Sequence, residues 1–228
     1  MPPDADVSRT LRATVRGRRY IPGMTRRRLL AALLPFLALL LALPPAAMAA
    51  PVDATAINAY LTGLRSARGT FRQTNPNGSV QTGTFYLQKP GRIRFEYDAP
   101  KGAMVIADGS WVGVFDPKSN RNPTRYPLGS TPLGLLLRDR ISLAEPGLVQ
   151  GATRDATTTR ITVVDPENPR SGQMVMSFSN SPIALRSWEI TTQAGARTRV
   201  ELTSLTPGAA ASRSLFNIEL AATAYKRR

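Results

Sequence analysis

Short alternating segments separated by tight-turn residues constrain this sequence more than any other feature. "GTFRQTN", "VQTGTFYLQ" and "RIRFEYD" alternate apolar and polar side chains, and they are separated by "PNGS" and by Lys89-Pro90-Gly91. A period of two is typical of strands with one apolar and one polar face, and Asn-Gly or Pro-Gly corners are typical of hairpins. "AMVIAD" and "SWVGVFD" follow, joined at Asp108-Gly109. Most of the intervals are too short for parallel crossovers, so we predict an antiparallel meander.

The second half repeats this pattern, and two helical elements accompany the strands. "TRITVVD", "QMVMSFSN", "LRSWEITT" and "TRVELTSL" are the later alternating segments. Ahead of the strands, Asp53 is a suitable N-cap for an amphipathic helix that we expect to end near Gly69. The apolar side chains of this helix fall at i, i+3, i+4 and i+7, namely Ile57, Tyr60, Leu61 and Leu64.

A leucine cluster interrupts the strand rhythm at "TPLGLLLR", residues 131–138. Pro132 suits the first position of a helix, and the cluster is too apolar for an exposed loop. Gly134 weakens so short a helix by up to about 1 kcal/mol relative to alanine. The segment therefore covers an apolar surface, either as a fixed structural plug or as a mobile lid.

Two strands carry apolar side chains on both faces. In "AMVIA", Met104 and Ile106 oppose Val105, and in "WVGVF", Trp111 and Phe115 oppose the two valines. Strands buried on two sides need this pattern, whereas a half-exposed sheet does not. We predict a mainly β, α+β fold. Its single curved antiparallel sheet forms an unclosed β-barrel, and the N-terminal helix and the short lid helix cover the concave apolar face.

Residues 24–49 have the layout of a secretory signal peptide. Three arginines precede an apolar run from Leu29 to Leu43, and Ala47-Met48-Ala49 forms an A-x-A cleavage pattern. The alternative is a membrane anchor, but the run is shorter than the roughly 20 residues of a spanning helix. Residues 1–23 lie before a second methionine, Met24, and indicate an over-long start or an extension. We expect cleavage, a mature domain over residues 50–228, and export by either the general or the twin-arginine route.

The composition excludes several kinds of chemistry. The chain has no cysteine and no histidine, which excludes disulfides, thiolate metal sites and histidine-based hydrolytic triads. The absence of cysteine also excludes a lipid-modified N-terminal cysteine, so we expect a mature protein that is not tethered to a membrane. Acidic residues are scattered, and no nucleophile–base pair stands out. We predict a protein that is not an enzyme and carries no cofactor or metal.

The charge balance is basic. The chain has 30 Lys and Arg against 15 Asp and Glu, and removing the 8 basic and 2 acidic residues before residue 50 leaves 22 against 13. A basic surface suits nucleic acid, anionic membranes or acidic proteins. No nucleic-acid-binding motif accompanies the charge, and export argues against nucleic acid. Acidic partner proteins and anionic lipid surfaces remain as alternatives.

An ordered series of motifs resembles the outer-membrane lipoprotein carrier family, LolA. The signal peptide and the amphipathic helix are followed by "G-T-F-x-Q" at 69–73 and by "GTFYLQKPGRIRFEY" at 83–97, which is similar to the central hairpin of the family. "VIADGSWVGVFDP" at 105–117 is similar to the next hairpin. "TPLGLLL" then stands where the family has its lid helix. The order and spacing of these motifs carry the resemblance.

The resemblance implies an unclosed barrel whose opening is covered by helices, with a hydrophobic cavity between the helices and the sheet. It implies a monomeric periplasmic carrier that shields the acyl chains of lipoproteins. Such a carrier passes them from an inner-membrane ABC transporter to an outer-membrane receptor. An alternative on the same fold is a periplasmic domain that senses lipoproteins or lipids without transferring them.

The resemblance also places a latch and shows departures from the family pattern. The basic residue before the proline of the central hairpin is Lys89, which can contact the lid-side loops but makes looser contacts than arginine. Ile93 and Phe95 replace the usual aromatic residues of that strand. The C-terminal family pattern is mostly missing, with "SLFNIEL" at 214–220 as a partial match.

Ten residues are predicted to line the acyl-chain cavity; taken singly, the strand residues fit an ordinary packed core better, and only the set favours a cavity. We expect the concave side to be a hollow that the protein's own side chains leave partly unfilled. The stripe Met174, Met176 and Phe178 favours packed core instead. The predicted cavity residues are Ile93, Phe95, Tyr97, Met104, Ile106, Trp111, Phe115, Leu133, Leu135 and Leu136.

Overall fold

A computed structural model describes residues 52–118 and 122–226. The predictions for residues 1–23 and for the signal peptide at 24–49 lie outside this part of the chain. Within it, the helices are α1 (Ala54–Gly63), α2 (Leu133–Leu136) and α3 (Ile218–Lys226). The strands are β1 (Ser66–Thr74), β2 (Val80–Gln88), β3 (Arg92–Tyr97), β4 (Met104–Asp108), β5 (Trp111–Phe115), β6 (Thr124–Pro127), β7 (Val149–Arg154), β8 (Thr158–Val164), β9 (Gln173–Asn180), β10 (Ile183–Thr191), β11 (Arg197–Leu202) and β12 (Thr206–Pro207).

The twelve strands of the described residues form one antiparallel sheet. Its order is β6-β5-β4-β3-β2-β1-β11-β10-β9-β8-β7, and β12 pairs with β1 beyond the end of β11. Neighbours in sequence are therefore mostly neighbours in the sheet, as the short turns require. The sheet does not close, because β6 and β7 are not paired with each other. The predicted fold class, a curved antiparallel sheet that is an unclosed barrel, is confirmed.

The turn between β2 and β3 depends on Gly91. Its φ of +75° is a left-handed conformation that residues with a Cβ rarely adopt. A Cβ at this position would also lie 2.6 Å from the Cα of Gly109 in the β4–β5 turn. The two hairpin turns can approach each other this closely because position 91 has no Cβ.

Helix α1 begins as predicted and ends earlier than predicted. The Asp53 carboxylate accepts a hydrogen bond from the Ala56 N–H (2.9 Å), which confirms the N-cap. The helix ends at Gly63, not near Gly69, and β1 begins at Ser66. β1 pairs with β2 along its whole length, from Ser66 opposite Gln88 to Thr74 opposite Val80. Continuing the helix would break the first rungs of this ladder, so strand pairing overrides the helical pattern.

Apolar side chains pack on both faces of the sheet. The larger cluster lies on the concave face and includes α1, the leucines of α2 and inward side chains from β1, β2, β3, β9 and β10. A smaller cluster lies on the other face of β4 and β5, beneath α3. Among the described residues, no helix is long and apolar enough to cross a membrane.

Candidate functional site

Aromatic side chains form the floor of the concave face. The ring centroids of Phe71 and Phe95 lie 5.0 Å apart, and those of Phe95 and Trp188 lie 6.2 Å apart. These rings come from β1, β3 and β10, at the middle of the sheet order. Ile93 and Phe95 belong to this floor, and Tyr97 packs against its edge. The alternation of β3 therefore directs one predicted stripe onto the concave face.

The leucines of α2 cover this floor. Leu133, Leu135 and Leu136 are buried, and Leu137, directly after the helix, is only 1% exposed. All four leucines belong to the same apolar cluster as α1 and the aromatic floor. The sequence predicted a hollow left partly unfilled, but the leucines of α2 and the apolar side chains of α1 are buried in one cluster with the floor. Any acyl chain would have to displace side chains that now cover it.

Four predicted cavity residues lie on the opposite face of the sheet. The register places Arg94 opposite Ile106 and Glu96 opposite Met104, so β4 directs these two apolar side chains away from the concave face. Phe115 is opposite Met104, and Trp111 shares its face. Side chains alternate along a strand, so Val105 and Val114 are the residues that point inward. The corrected cavity set therefore omits Met104, Ile106, Trp111 and Phe115.

Helix α3 covers this outer face, and the sequence analysis did not identify it. Ile218 and Ala222 are buried against Met104, Ile106 and Phe115. The ring of Tyr225 meets the ring of Phe115 at 5.5 Å between centroids. Ile218, Ala222 and Tyr225 have the i, i+4, i+7 spacing of an amphipathic helix, which is the signal that could have revealed it.

Lys89 holds the end of α1. Its side chain is 5% exposed, and the ammonium Nζ donates a hydrogen bond to the Leu61 carbonyl oxygen (3.0 Å). Carbonyl groups in the last turn of a helix lack intrahelical partners, so the Lys89 ammonium group supplies the hydrogen-bond donor that the Leu61 carbonyl oxygen lacks within the helix. The pKa of Lys89 is lowered to about 8, mainly by burial and also by the nearby charge of Arg65, while Asp139 opposes the shift.

The contact from the hairpin turn to the lid is made by another residue. The Gly91 N–H donates to the Leu137 carbonyl oxygen (2.8 Å), directly after α2. The predicted latch position thus lies in a turn that touches both covers, but the Lys89 side chain holds α1 and Gly91 meets the lid segment.

Two ion-pair groups surround the segment that follows the lid. Arg65 contacts the Asp139 carboxylate at 2.6 Å, and both side chains are about half exposed. Arg138 contacts Asp165 at 2.8 Å and Glu145 at 3.2 Å. The exposed Arg65–Asp139 pair contributes little to stability, whereas Arg138 and Asp165 are largely buried, so that pair and the buried leucines attach this segment.

A depression of about 380 Å³ opens at the end of the barrel where β1 turns into β2 and β3 turns into β4. Tyr97, Val105 and Val114 from the concave face line it, together with Gln73 and Gln81, and Met104 and Phe115 reach its rim from the other face of the sheet. Gln73 is the final residue of the "G-T-F-x-Q" motif, which the sequence analysis noted without assigning it a contact. This depression, called the mouth below, is where the apolar floor meets solvent.

Comparison with known proteins fits this architecture. The family model described as outer membrane lipoprotein carrier protein LolA matches residues 62–219. The chain belongs to the LolA family. The matched range begins in α1 and ends in α3, so it contains every described strand and the lid.

Individual relatives carry the same description. The outer-membrane lipoprotein carrier protein of Bordetella pertussis is 28% identical over 167 residues, which cover 67% of this chain and 76% of that protein. The protein of the same description from Leptothrix cholodnii is 36% identical over 90 residues, covering 36% of this chain and 42% of that protein. The chain thus matches less than half of the length of the Leptothrix relative.

Among solved structures, a putative outer membrane lipoprotein-sorting protein domain from Vibrio parahaemolyticus is similar at 9% identity. Its TM-score is 0.43, with 75% of this chain and 97% of that chain covered. A LolA superfamily protein from Nitrosomonas europaea has a TM-score of 0.39 at 10% identity, with coverages of 73% and 98%. The LolA family is one of periplasmic lipoprotein carriers without enzymatic activity.

Proposed function

We propose that this LolA-family chain is exported through a cleaved signal peptide and carries lipoproteins across the periplasm. In this role it shields their acyl chains on the concave face, receives them from an inner-membrane ABC transporter and delivers them to an outer-membrane receptor. The observation that carries the proposal is an aromatic and aliphatic floor covered by a four-residue helix whose side chains are leucines.

The cover and the cargo have the same chemistry. Burying one methylene of an acyl chain contributes about 0.8 kcal/mol, and burying one leucine side chain contributes about 1.5–3 kcal/mol. When an acyl chain displaces the lid leucines, the net free energy of binding is therefore only the difference between two similar free energies of burial. A carrier that must release its cargo benefits from this compensation, because a preformed empty cavity would bind more tightly.

The lid is suited to displacement. Helix α2 has four residues and no side-chain cap, and Gly134 lies within it. A single turn of helix is not stable by itself, so its conformation depends on the apolar surface beneath it. When acyl chains occupy that surface, the lid loses its main stabilising contacts and moves away.

The residues proposed to contact acyl chains follow from the corrected placement. Ile93, Phe95 and Tyr97 form the floor side of the site, and the lid leucines Leu133, Leu135 and Leu136 are the side chains that cargo replaces. The turn that contains Lys89 is proposed to hold α1 in place while the lid moves.

Two charge substitutions in β5 test the proposal. Val114→Glu places a carboxylate on the inner wall at the mouth, where the side chain is only partly buried and the fold tolerates it. Trp111→Glu places the same charge on the outer face, at a residue that is 46% exposed. We expect Val114→Glu to weaken binding of a pyrene-labelled acyl chain at least tenfold, measured by fluorescence titration, and Trp111→Glu to bind like the wild type.

The transfer step is tested separately. Mature wild-type protein is incubated with inner-membrane vesicles that contain a lipoprotein and the transporter, and the soluble lipoprotein is then offered to outer-membrane vesicles. The carrier role requires release that depends on the wild-type protein and fails with Val114→Glu. Acyl binding without release or delivery would favour the sensing alternative. Equal probe binding by both variants would contradict the concave site.

A further inference from the structure

The inward side chains change from apolar to hydrogen-bonding at one level of the barrel. In β1 the inward sequence passes from Phe71 to Gln73, and in β3 it passes from Phe95 to Tyr97. In β2 the corresponding inward residue at this end is Gln81, which pairs with Gln73. Gln73 and Gln81 are directly opposite each other, and Tyr97, one inward position away in the register, reaches Gln73 through its hydroxyl group. This level coincides with the mouth.

These polar groups form one hydrogen-bonded chain. The Tyr97 hydroxyl donates to Gln73 Oε1 (2.9 Å), and Gln73 Nε2 donates to Asn75 Oδ1 (2.7 Å). Asn75 Nδ2 donates to Gln81 Oε1 (2.9 Å), and Gln81 Nε2 donates to the Ala99 carbonyl oxygen (3.3 Å). This hydrogen-bond network fixes the side-chain amides in place and contains no charged group.

The network leaves one amide N–H group of Gln73 and one of Gln81 without an acceptor among the described residues. A primary amide nitrogen carries two N–H groups, and within the described residues Gln73 and Gln81 each use one of them. Both residues line the mouth. The remaining two N–H groups suit carbonyl oxygens of a bound molecule, which accept hydrogen bonds but carry no charge.

The apolar half of the mouth lies directly beside these donors. Val105 and Val114 line the same depression and pack against the apolar cluster of the concave face. The charged lining residues are Asp116 and Lys118, and a carboxylate oxygen of Asp116 accepts a hydrogen bond from the Lys118 N–H. The mouth thus offers an apolar wall and neutral donors to an amphiphile that enters tail first.

We propose that the mouth binds the neutral ester or amide linkage between the acyl chains and the polar part of the cargo. The amide N–H groups of Gln73 and Gln81 donate to the linkage carbonyls, while the chains continue along the concave face. This inference rests on the proposed carrier function and deepens it. It assigns a polar subsite that holds cargo in register and distinguishes acylated glycerol or acylated peptide from plain hydrocarbon.

Gln81→Met tests the subsite, because methionine is close to glutamine in size and lacks its N–H donors. Mature protein is titrated with two fluorescent probes that share the same chains: a pyrene-labelled diacylglycerol and a pyrene-labelled alkane. We expect Gln81→Met to weaken diacylglycerol binding about tenfold, the effect of losing one or two hydrogen bonds, and to leave alkane binding unchanged. The matched control is Gln173→Met, the same change at an exposed position in β9 outside the mouth.

Any other outcome of these titrations contradicts either the proposed subsite or the carrier function. Equal weakening of both probes would mean that Gln81 only supports the fold, and unchanged binding of both probes would mean that the amide does not touch the linkage. Tighter binding of a pyrene-labelled fatty acid than of the diacylglycerol would replace the neutral subsite with an anion site. Wild-type protein that binds neither the alkane nor the diacylglycerol would contradict the carrier function itself.

Discussion

Helices cover both faces of strands β4 and β5, and the covers of the two faces differ. On the inner face the four-residue α2 lies beside α1 and contributes leucines to the large concave cluster. On the outer face the cover is the nine-residue α3, which packs on Met104, Ile106 and Phe115. The same strands therefore support one cover that is short and one that is a complete amphipathic helix.

The polar attachments strengthen this difference. The segment before α3 accepts a hydrogen bond at the Leu215 carbonyl oxygen from Arg94, and Glu219 of α3 contacts Arg125 of β6 at 2.6 Å. The inner cover has a backbone hydrogen bond from Gly91 to Leu137 and ion pairs that lie beyond its own turn. We infer that the outer cover is a permanent part of the fold and that the inner cover is exchanged for cargo. Three predictions test this contrast.

The largest effect is expected on the outer face. Ile106→Ala removes a completely buried side chain beneath α3 and leaves a cavity, so we expect a loss of about 3 kcal/mol in the free energy of unfolding, measured by urea denaturation. Acyl-probe binding by the folded protein should stay at the wild-type level, since Ile106 faces away from the concave site. If fully folded Ile106→Ala protein bound the acyl probe with a different affinity from the wild type, the two faces would not be functionally distinct.

A smaller loss is expected at the lid. Leu135→Ala should lower the free energy of unfolding by about 2 kcal/mol, because a short lid relaxes more easily into the space than a sheet does. The closed lid competes with cargo, so the same change should tighten acyl-probe binding roughly tenfold. Leu220→Ala is the matched control, since this leucine of α3 is 54% exposed. Weaker probe binding in Leu135→Ala would show that the lid caps bound chains instead of competing with them.

The smallest effect concerns the turn beneath the inner covers. The pKa of Lys89 in the folded protein is about 8, below its ordinary value, because the side chain is buried. Above pH 8 the folded protein releases this proton while the unfolded chain keeps it, so stability rises with pH between about 8 and 10. From pH 7.5 to 9.0 we expect a gain of about 1 kcal/mol in the wild type that is absent in Lys89→Met.

Urea midpoints at the two pH values measure this gain. Lys101→Met changes a lysine in the exposed β3–β4 turn and serves as the control. It should behave like the wild type. An identical pH dependence in Lys89→Met and the wild type would mean that Lys89 is not held at α1 in solution.

Much of the architecture could be predicted from local patterns. The alternation in "RIRFEY" placed Ile93, Phe95 and Tyr97 on one face, and the Asp53 cap located the start of α1. The leucine cluster predicted a segment that covers an apolar surface, and Leu133, Leu135 and Leu136 are buried in the concave cluster. These features depend on residues close together in the chain, where period, capping and turn chemistry decide the outcome.

Other features depended on how distant segments meet. Met104, Ile106 and Phe115 were assigned to the cavity because a two-faced strand does not reveal which face is concave. α3 settles the question by covering the outer face. Helix α1 stops at Gly63 because β1 must pair with β2 from Ser66 onward. The mouth network joins Gln73, Gln81 and Tyr97, which lie on three strands.

The sequence by itself determined the antiparallel hairpins, the covering leucine segment and the two-sided burial, since each follows from periodicity and tight turns between adjacent segments. The tertiary structure alone decided the pairing of β1 with β11, which side of the sheet is concave, which side chains fill that side, and where polar groups meet it. Those outcomes depend on contacts between residues far apart in the chain, and no local pattern encodes the curvature that brings them together.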